Sequence, residues 1–169
     1  NLNQQIIKFD YEQNFKDQDF YVSNSNEHSF SLLNNWPKWD KNFINLIGDK
    51  FSGKSHLMNI FLEKNRGIKI NAEDINNDFL QKIKLYENII IEDLSEKINE
   101  NLFFTLINII DQDNKYLIVT STIPIVNFKF KLNDLNSRST NFVLSQIEKP
   151  GDYLIYALIL KNLSDRQIS

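Results

Sequence analysis

Eight consecutive residues, Gly48-Asp49-Lys50-Phe51-Ser52-Gly53-Lys54-Ser55, match the spacing G-x-x-x-x-G-K-[ST] without a gap. The chemistry of that spacing is phosphate binding. Main-chain N–H groups of such a loop, and of the helix that follows it, turn inward onto phosphate oxygens. Lys54 is placed to reach the β- and γ-phosphates, and the Ser55 hydroxyl to bind Mg²⁺. Gly48 and Gly53 are needed as glycines because a Cβ would obstruct the turn or the approaching phosphate. The surroundings suit the loop: an apolar run precedes it and a helical pattern leaves it.

Three further groups have types and positions that suit the same chemistry. Glu92 and Asp93 directly follow the apolar run Ile89–Ile91. A carboxylate at that strand end can hold a metal, Mg²⁺ here with Ser55 and Glu92 as its ligands, and a neighbouring one can polarise an attacking water. The other reading is acidic punctuation of a strand end. Thr120-Ser121-Thr122 closes the next strand before Pro124. Its hydroxyls either line a ligand crevice or cap a turn. Arg138, within Asn136-Ser137-Arg138-Ser139, admits three readings. They are a phosphate contact within the chain, an arginine finger offered to a neighbouring subunit, and a solvated surface residue.

The elements that must position these groups alternate regularly. A helix is expected over 24–36, ended by Pro37, then a strand over Phe43–Ile47, the loop, and a helix carrying Leu57, Met58, Ile60, Phe61 and Leu62. Strands follow at Gly67–Ile70, Ile89–Ile91, Tyr116–Thr120 and Phe142–Leu144. Helices over Ile75–Leu85 and Asn99–Ile110 separate them, and a last helix spans Asp152–Leu163. Ile89–Ile91 is apolar throughout, as a strand covered on both faces must be. Strands separated by helices imply a three-layer α/β domain around a five-stranded parallel sheet.

Composition excludes several classes. At 169 residues the chain has room for one domain, with about 150 residues as the usual size. No cysteine is present, and His28 and His56 are the two histidines, so a disulfide framework or a zinc enzyme is not expected. Nineteen basic residues against 22 acidic ones leave a net charge of −3, with Arg66, Arg138 and Arg166 as the arginines. Little direct DNA binding is therefore expected, because tight backbone binding needs clustered cations. No apolar run reaches the about 18–20 residues of a membrane span, and no leader pattern opens the chain, so a cytoplasmic protein is expected.

Taken in order, the motifs resemble the AAA+ family of the replication initiator DnaA, and more closely its Hda branch, the DnaA regulatory inactivators of alphaproteobacterial type. Asp19-Phe20-Tyr21-Val22 with Asn26 resembles the family segment that closes over adenine. Trp36-Pro37 resembles the W-P that precedes the first strand, and Gly53-Lys54-Ser55-His56-Leu57 the family's G-K-[ST]-H-L. Leu135-Asn136-Ser137-Arg138 resembles the arginine-finger segment, Lys149-Pro150-Gly151-Asp152 the P-D opening the next helix, and Asp165-Arg166-Gln167 the start of the lid. At the amino terminus, Gln4-Gln5-Ile6-Ile7-Lys8-Phe9 resembles the family's sliding-clamp motif, with Gln4, Ile7 and Phe9 as anchors.

The resemblance implies an adenine-nucleotide site for ADP or ATP with Mg²⁺. Its lining would be Phe20, Val22, Asn26, Gly48, Asp49, Lys50, Phe51, Ser52, Gly53, Lys54, Ser55 and His56. Glu92, Asp93, Thr122 and Arg138 would be the catalytic set, with Thr122 at the sensor position and Arg138 as the finger. The implied organisation is a clamp-binding tail over 1–18, a nucleotide-binding AAA+ domain over 19–162, and the start of a truncated helical lid over 163–169. The implied partners are DnaA, the polymerase sliding clamp and a possible second copy of the chain. Glu92-Asp93 departs from the Asp-Asp of DnaA, so hydrolysis at the chain's own loop is an open point. Two functions follow: a regulator promoting hydrolysis of DnaA-bound ATP in trans, or an autonomous ATPase of DnaA or helicase-loader type. A small-molecule kinase is disfavoured, since it would need several cations around the transferred group.

Overall fold

Ile89, Ile90 and Ile91 are each fully buried, and they split between two cores on opposite faces of one sheet. A computed structural model of the chain describes residues 26–148. Within them, β1 (Phe43–Gly48), β2 (Gly67–Asn71), β3 (Asn88–Glu92), β4 (Tyr116–Ser121) and β5 (Val143–Ile147) form a sheet of order β2-β3-β4-β1-β5. Every pairing is parallel.

Side chains alternate along the strands. Ile89, Ile91, Leu117, Val119 and Phe43 face the core shared with α3 (Asn77–Lys82), α4 (Glu100–Gln112) and α5 (Asn133–Ser139), represented by Phe79, Phe103, Leu106 and Leu135. Ile44, Leu46, Ile90, Ile118 and Ile147 face the other core, shared with α1 (Glu27–Asn34) and α2 (Lys54–Lys64) through Phe30, Leu33, Leu57 and Phe61. Each such aliphatic side chain, fully buried, contributes about 1.5–3 kcal/mol relative to exposure. Covering both faces is what lets the middle of β3, Ile89–Ile91, be apolar at every position.

The expected architecture is found, with shifts at the element ends. The helix expected over Ile75–Leu85 is shorter. Asn76 caps it by accepting the N–H of Phe79, and its last turn, Ile83–Leu85, tightens to a 3₁₀ helix. Asn99 caps α4 in the same way through the N–H of Leu102. The first helix ends at Asn34, ahead of a cis Trp36–Pro37 bond. The fifth strand runs to Ile147 rather than stopping at Leu144 and leaves Phe142 in the preceding turn. A short helix, α5, stands where the sequence pattern marks none. Residues 1–18, Asp19–Val22, the helix expected over Asp152–Leu163 and residues 163–169 lie outside the described residues.

From β1 the chain crosses to β2 on one side, whereas from β4 it crosses over β1 to β5 on the other. The order of strands therefore reverses between β1 and β4. The crevice at the carboxyl ends of those two strands is where ligands bind in such sheets. Gly48, the first residue of the phosphate-loop motif, closes β1 at that point.

Candidate functional site

The loop after β1 is a tight turn. The N–H of Ser52 donates to the carbonyl of Asp49 at 3.0 Å, and Gly53 starts α2 with φ of 103°. That φ is open to glycine and strained for a side chain. A Cβ on Gly48 would stand 2.5 Å from Ser52 Oγ and 3.1 Å from the carbonyl oxygen of Ile147. Ser52 Oγ is buried without a hydrogen-bond partner. Phe51 takes the left-handed conformation, φ 65°, with its ring 91% exposed and Lys50 Nζ 5.4 Å from the ring centroid.

Lys54 is buried at the first position of α2, and its ammonium donates to the main-chain carbonyls of Gly48 and Asp49. Burial pushes its pKa below the ordinary lysine value, an effect opposed by the carboxylates of Asp93 and Asp49. A buried cation on two neutral carbonyls lacks a full counter-charge, and so does a helix N-terminus whose first N–H groups have no intrahelical partner. A glycine cradle, an unpaired buried hydroxyl and an under-compensated ammonium together fit an anionic group such as a diphosphate.

Across the crevice, the Ser55 hydroxyl donates to Glu92 Oε2 at 2.9 Å. A hydroxyl and a carboxylate brought together at the loop suit Mg²⁺ as a ligand pair. The other carboxylate oxygen, Glu92 Oε1, pairs with Lys69 Nζ at 3.1 Å, and Lys69 Nζ also donates to Asn59 Oδ1 at 2.6 Å. Asp93 is exposed and left-handed, φ 59°; its N–H donates to Thr120 Oγ1 at 3.0 Å, and its Oδ2 accepts from Asn71 Nδ2 at 3.4 Å. The tripeptide at the end of β4 divides in two. Thr120 and Ser121 are buried, and Thr122 is exposed past the strand end.

Asn26 immediately precedes α1, 5% exposed, and its carbonyl accepts the N–H of Phe30 at 2.9 Å. A hydroxyl pair, Ser29 with Ser145 at 2.6 Å, fixes that end of α1 to β5. His56 lies in the first turn of α2, partly exposed. Phe20, Val22, Gln4, Ile7 and Phe9 lie outside the described residues.

Arg138 is not among the groups gathered at the loop. It lies in the last turn of α5, where its guanidinium donates to Asp111 Oδ2 at 3.1 Å and Asn108 Oδ1 at 2.6 Å, both on α4. Around it Asp40, Asn42, Phe43, Asp111 and Asn141 line an open groove at the start of β1. The loop leaves the far end of that strand, about 17 Å away at ~3.3 Å per residue. A phosphate contact by Arg138 within the chain is ruled out by that placement.

Sequence reasoning missed Lys69, Asn59 and Asn45. Buried Asn45 donates from Nδ2 to the Val119 carbonyl at 3.0 Å and to Ser121 Oγ at 2.9 Å, and its Oδ1 accepts the N–H of Ile125 at 2.7 Å. An asparagine in the middle of the apolar run Phe43–Ile47 was the available signal.

Among the described residues no three His, Cys, Asp or Glu side chains group as a metal site, and no helix is long and apolar enough to cross a membrane. No family model and no curated protein matches the chain. Solved structures do. The AMPPCP-bound DnaA of Aquifex aeolicus superposes with a TM-score of 0.72 at 20% identity, over 86% of this chain and 53% of that one. Domain III of Thermotoga maritima DnaA gives 0.68 at 16%, over 88% and 73%. DnaI gives 0.60 at 12%, over 78% and 85%. The chain thus spans about half the length of the Aquifex DnaA structure. A five-stranded parallel sheet in the order β2-β3-β4-β1-β5, with a phosphate-fitting loop after β1, is the α/β fold of DnaA domain III.

Proposed function

We propose that this chain is an adenine-nucleotide-binding AAA+ regulator of chromosomal replication initiation, promoting hydrolysis of DnaA-bound ATP in trans. One observation carries the reading: the loop with Lys54 and the guanidinium of Arg138 stand at opposite ends of β1. A domain so arranged holds a nucleotide at one end and presents an arginine to a neighbour's nucleotide at the other. An arginine finger is worth about 10³–10⁵ in rate, so one side chain is enough for the function.

In this reading ADP or ATP lies on Gly48 to His56, and Phe20, Val22 and Asn26 close over the base. Ser55 and Glu92 would hold Mg²⁺, which when bound screens the phosphate charge. Asp93 and Thr122 face attacking water, and the chain itself is at most a weak ATPase. The tail over 1–18 would bring Gln4, Ile7 and Phe9 to the sliding clamp as platform, and residues 163–169 would begin a truncated lid. DnaA is the partner, self-association uses the same two faces, and the work is done in the cytoplasm.

The test is hydrolysis of DnaA-bound ATP in the presence of clamp loaded on DNA, comparing the parent with Arg138→Ala. Loss of stimulation in a folded variant is expected, and undiminished stimulation would remove Arg138 from the account. A second reading, an autonomous ATPase of helicase-loader type, is favoured by the likeness in fold to 85% of the solved DnaI chain. Steady ATP turnover by the purified protein, lost in both Lys54→Ala and Asp93→Ala, would select it.

A further inference from the structure

Four side chains form a line of polar contacts beside the phosphate loop. Ser55 and Asn59 stand one turn apart on α2, i and i+4, and so share a helix face. Ser55 donates to one oxygen of Glu92, Lys69 binds the other, and Lys69 returns to Asn59. The strands set this up: Asn71 of β2 is the register partner of Glu92, and Lys69 lies two residues earlier on the same face. From there its ammonium meets Asn59 on α2 and Glu92 at the end of β3.

The stability of the domain does not account for this arrangement. Lys69 is 39% exposed, and ion pairs this open contribute little. Its consequence lies in the charge at the loop. An unpaired carboxylate at Glu92 would repel the phosphates of a nucleotide, and a divalent cation would be needed to turn that repulsion into a bridge. An ammonium 3.1 Å from Glu92 Oε1 cancels the repulsion beforehand and engages one of the two carboxylate oxygens.

The geometry points to Lys69 as a built-in cation that makes adenine-nucleotide binding at this loop nearly independent of divalent metal. Asn59 is its positioning residue. The inference rests on the loop being a nucleotide site, and the test separates the two.

ADP is titrated calorimetrically into the whole chain in excess Mg²⁺ and again in EDTA. The parent affinity is expected to change by less than about threefold, or ~0.7 kcal/mol. In Lys69→Met, binding should become metal-dependent by about tenfold or more, and Lys69→Arg should restore the parent behaviour. A parent that binds ADP at least tenfold better with Mg²⁺ overturns the role of Lys69 and leaves the nucleotide site intact. So does a folded Lys69→Met variant that ignores the metal. Absence of ADP binding in both buffers overturns the nucleotide reading and the inference with it.

Discussion

Asp93 is tied to Thr120 across the two central strands: its main-chain N–H donates to the threonine hydroxyl at 3.0 Å, while its backbone sits at φ 59°. The N–H of Leu94 completes the clamp on the Thr120 carbonyl at 2.9 Å. A buried hydroxyl on β4 thereby sets the direction in which the acidic pair leaves β3. Thr120→Val keeps the shape and removes the acceptor. It should cost about 1–2 kcal/mol in urea unfolding, the expense of an unmade hydrogen bond at a partly buried N–H.

Asn45 performs a similar task at larger scale. Its three hydrogen bonds join β1 to β4 and to the turn at Ile125. Asn45→Ala leaves a buried main-chain N–H of Ile125 without an acceptor and should destabilise by about 2–3 kcal/mol in the same assay.

Phe51 gives the opposite sign. The ring is almost wholly exposed, so removing it loses little beyond the contact with Lys50, and its left-handed backbone is disfavoured for a bulky residue. Asn tolerates that conformation. Phe51→Asn is expected to raise stability by about 0.5–1 kcal/mol, read as a higher urea midpoint at unchanged slope.

Lys54 links stability to pH. Burial lowers its pKa from 10.5, so between that lowered value and 10.5 the native state binds fewer protons than the unfolded one. The nucleotide-free domain should therefore gain stability as pH rises through that window, and the penalty of the buried charge should be fully present below it. Lys54→Met should lack this gain. Its melting temperature at neutral pH should be no lower than the parent's, even though nucleotide binding is lost.

Much of this was legible in the chain. Apolar runs such as Ile89–Ile91 and Leu117–Val119 named the strands, because only strands covered on both faces are apolar at every position. The loop declared itself through spacing that the fold then placed at the strand reversal. What stayed hidden had weak periodicity or depended on long reach. In α5, Asn133–Ser139, Leu135 is the one large apolar residue, too few to mark a helical face. On β5, Ser145 is buried against Ser29 and Gln146 is exposed, a half-polar pattern that hid the strand's true length. Lys69 meets Glu92 only because β2 lies beside β3. No spacing along the chain encodes that contact.

The central claim is that the loop between β1 and α2 receives an adenine nucleotide. Its most direct measurement is a calorimetric titration of the parent and of Lys54→Ala with ADP and with ATP in Mg²⁺. The account predicts one saturable site per chain in the parent, with affinity reduced at least about 100-fold, or ~2.7 kcal/mol, in the variant. A parent that takes up neither nucleotide, or a variant that binds as the parent does, would contradict it.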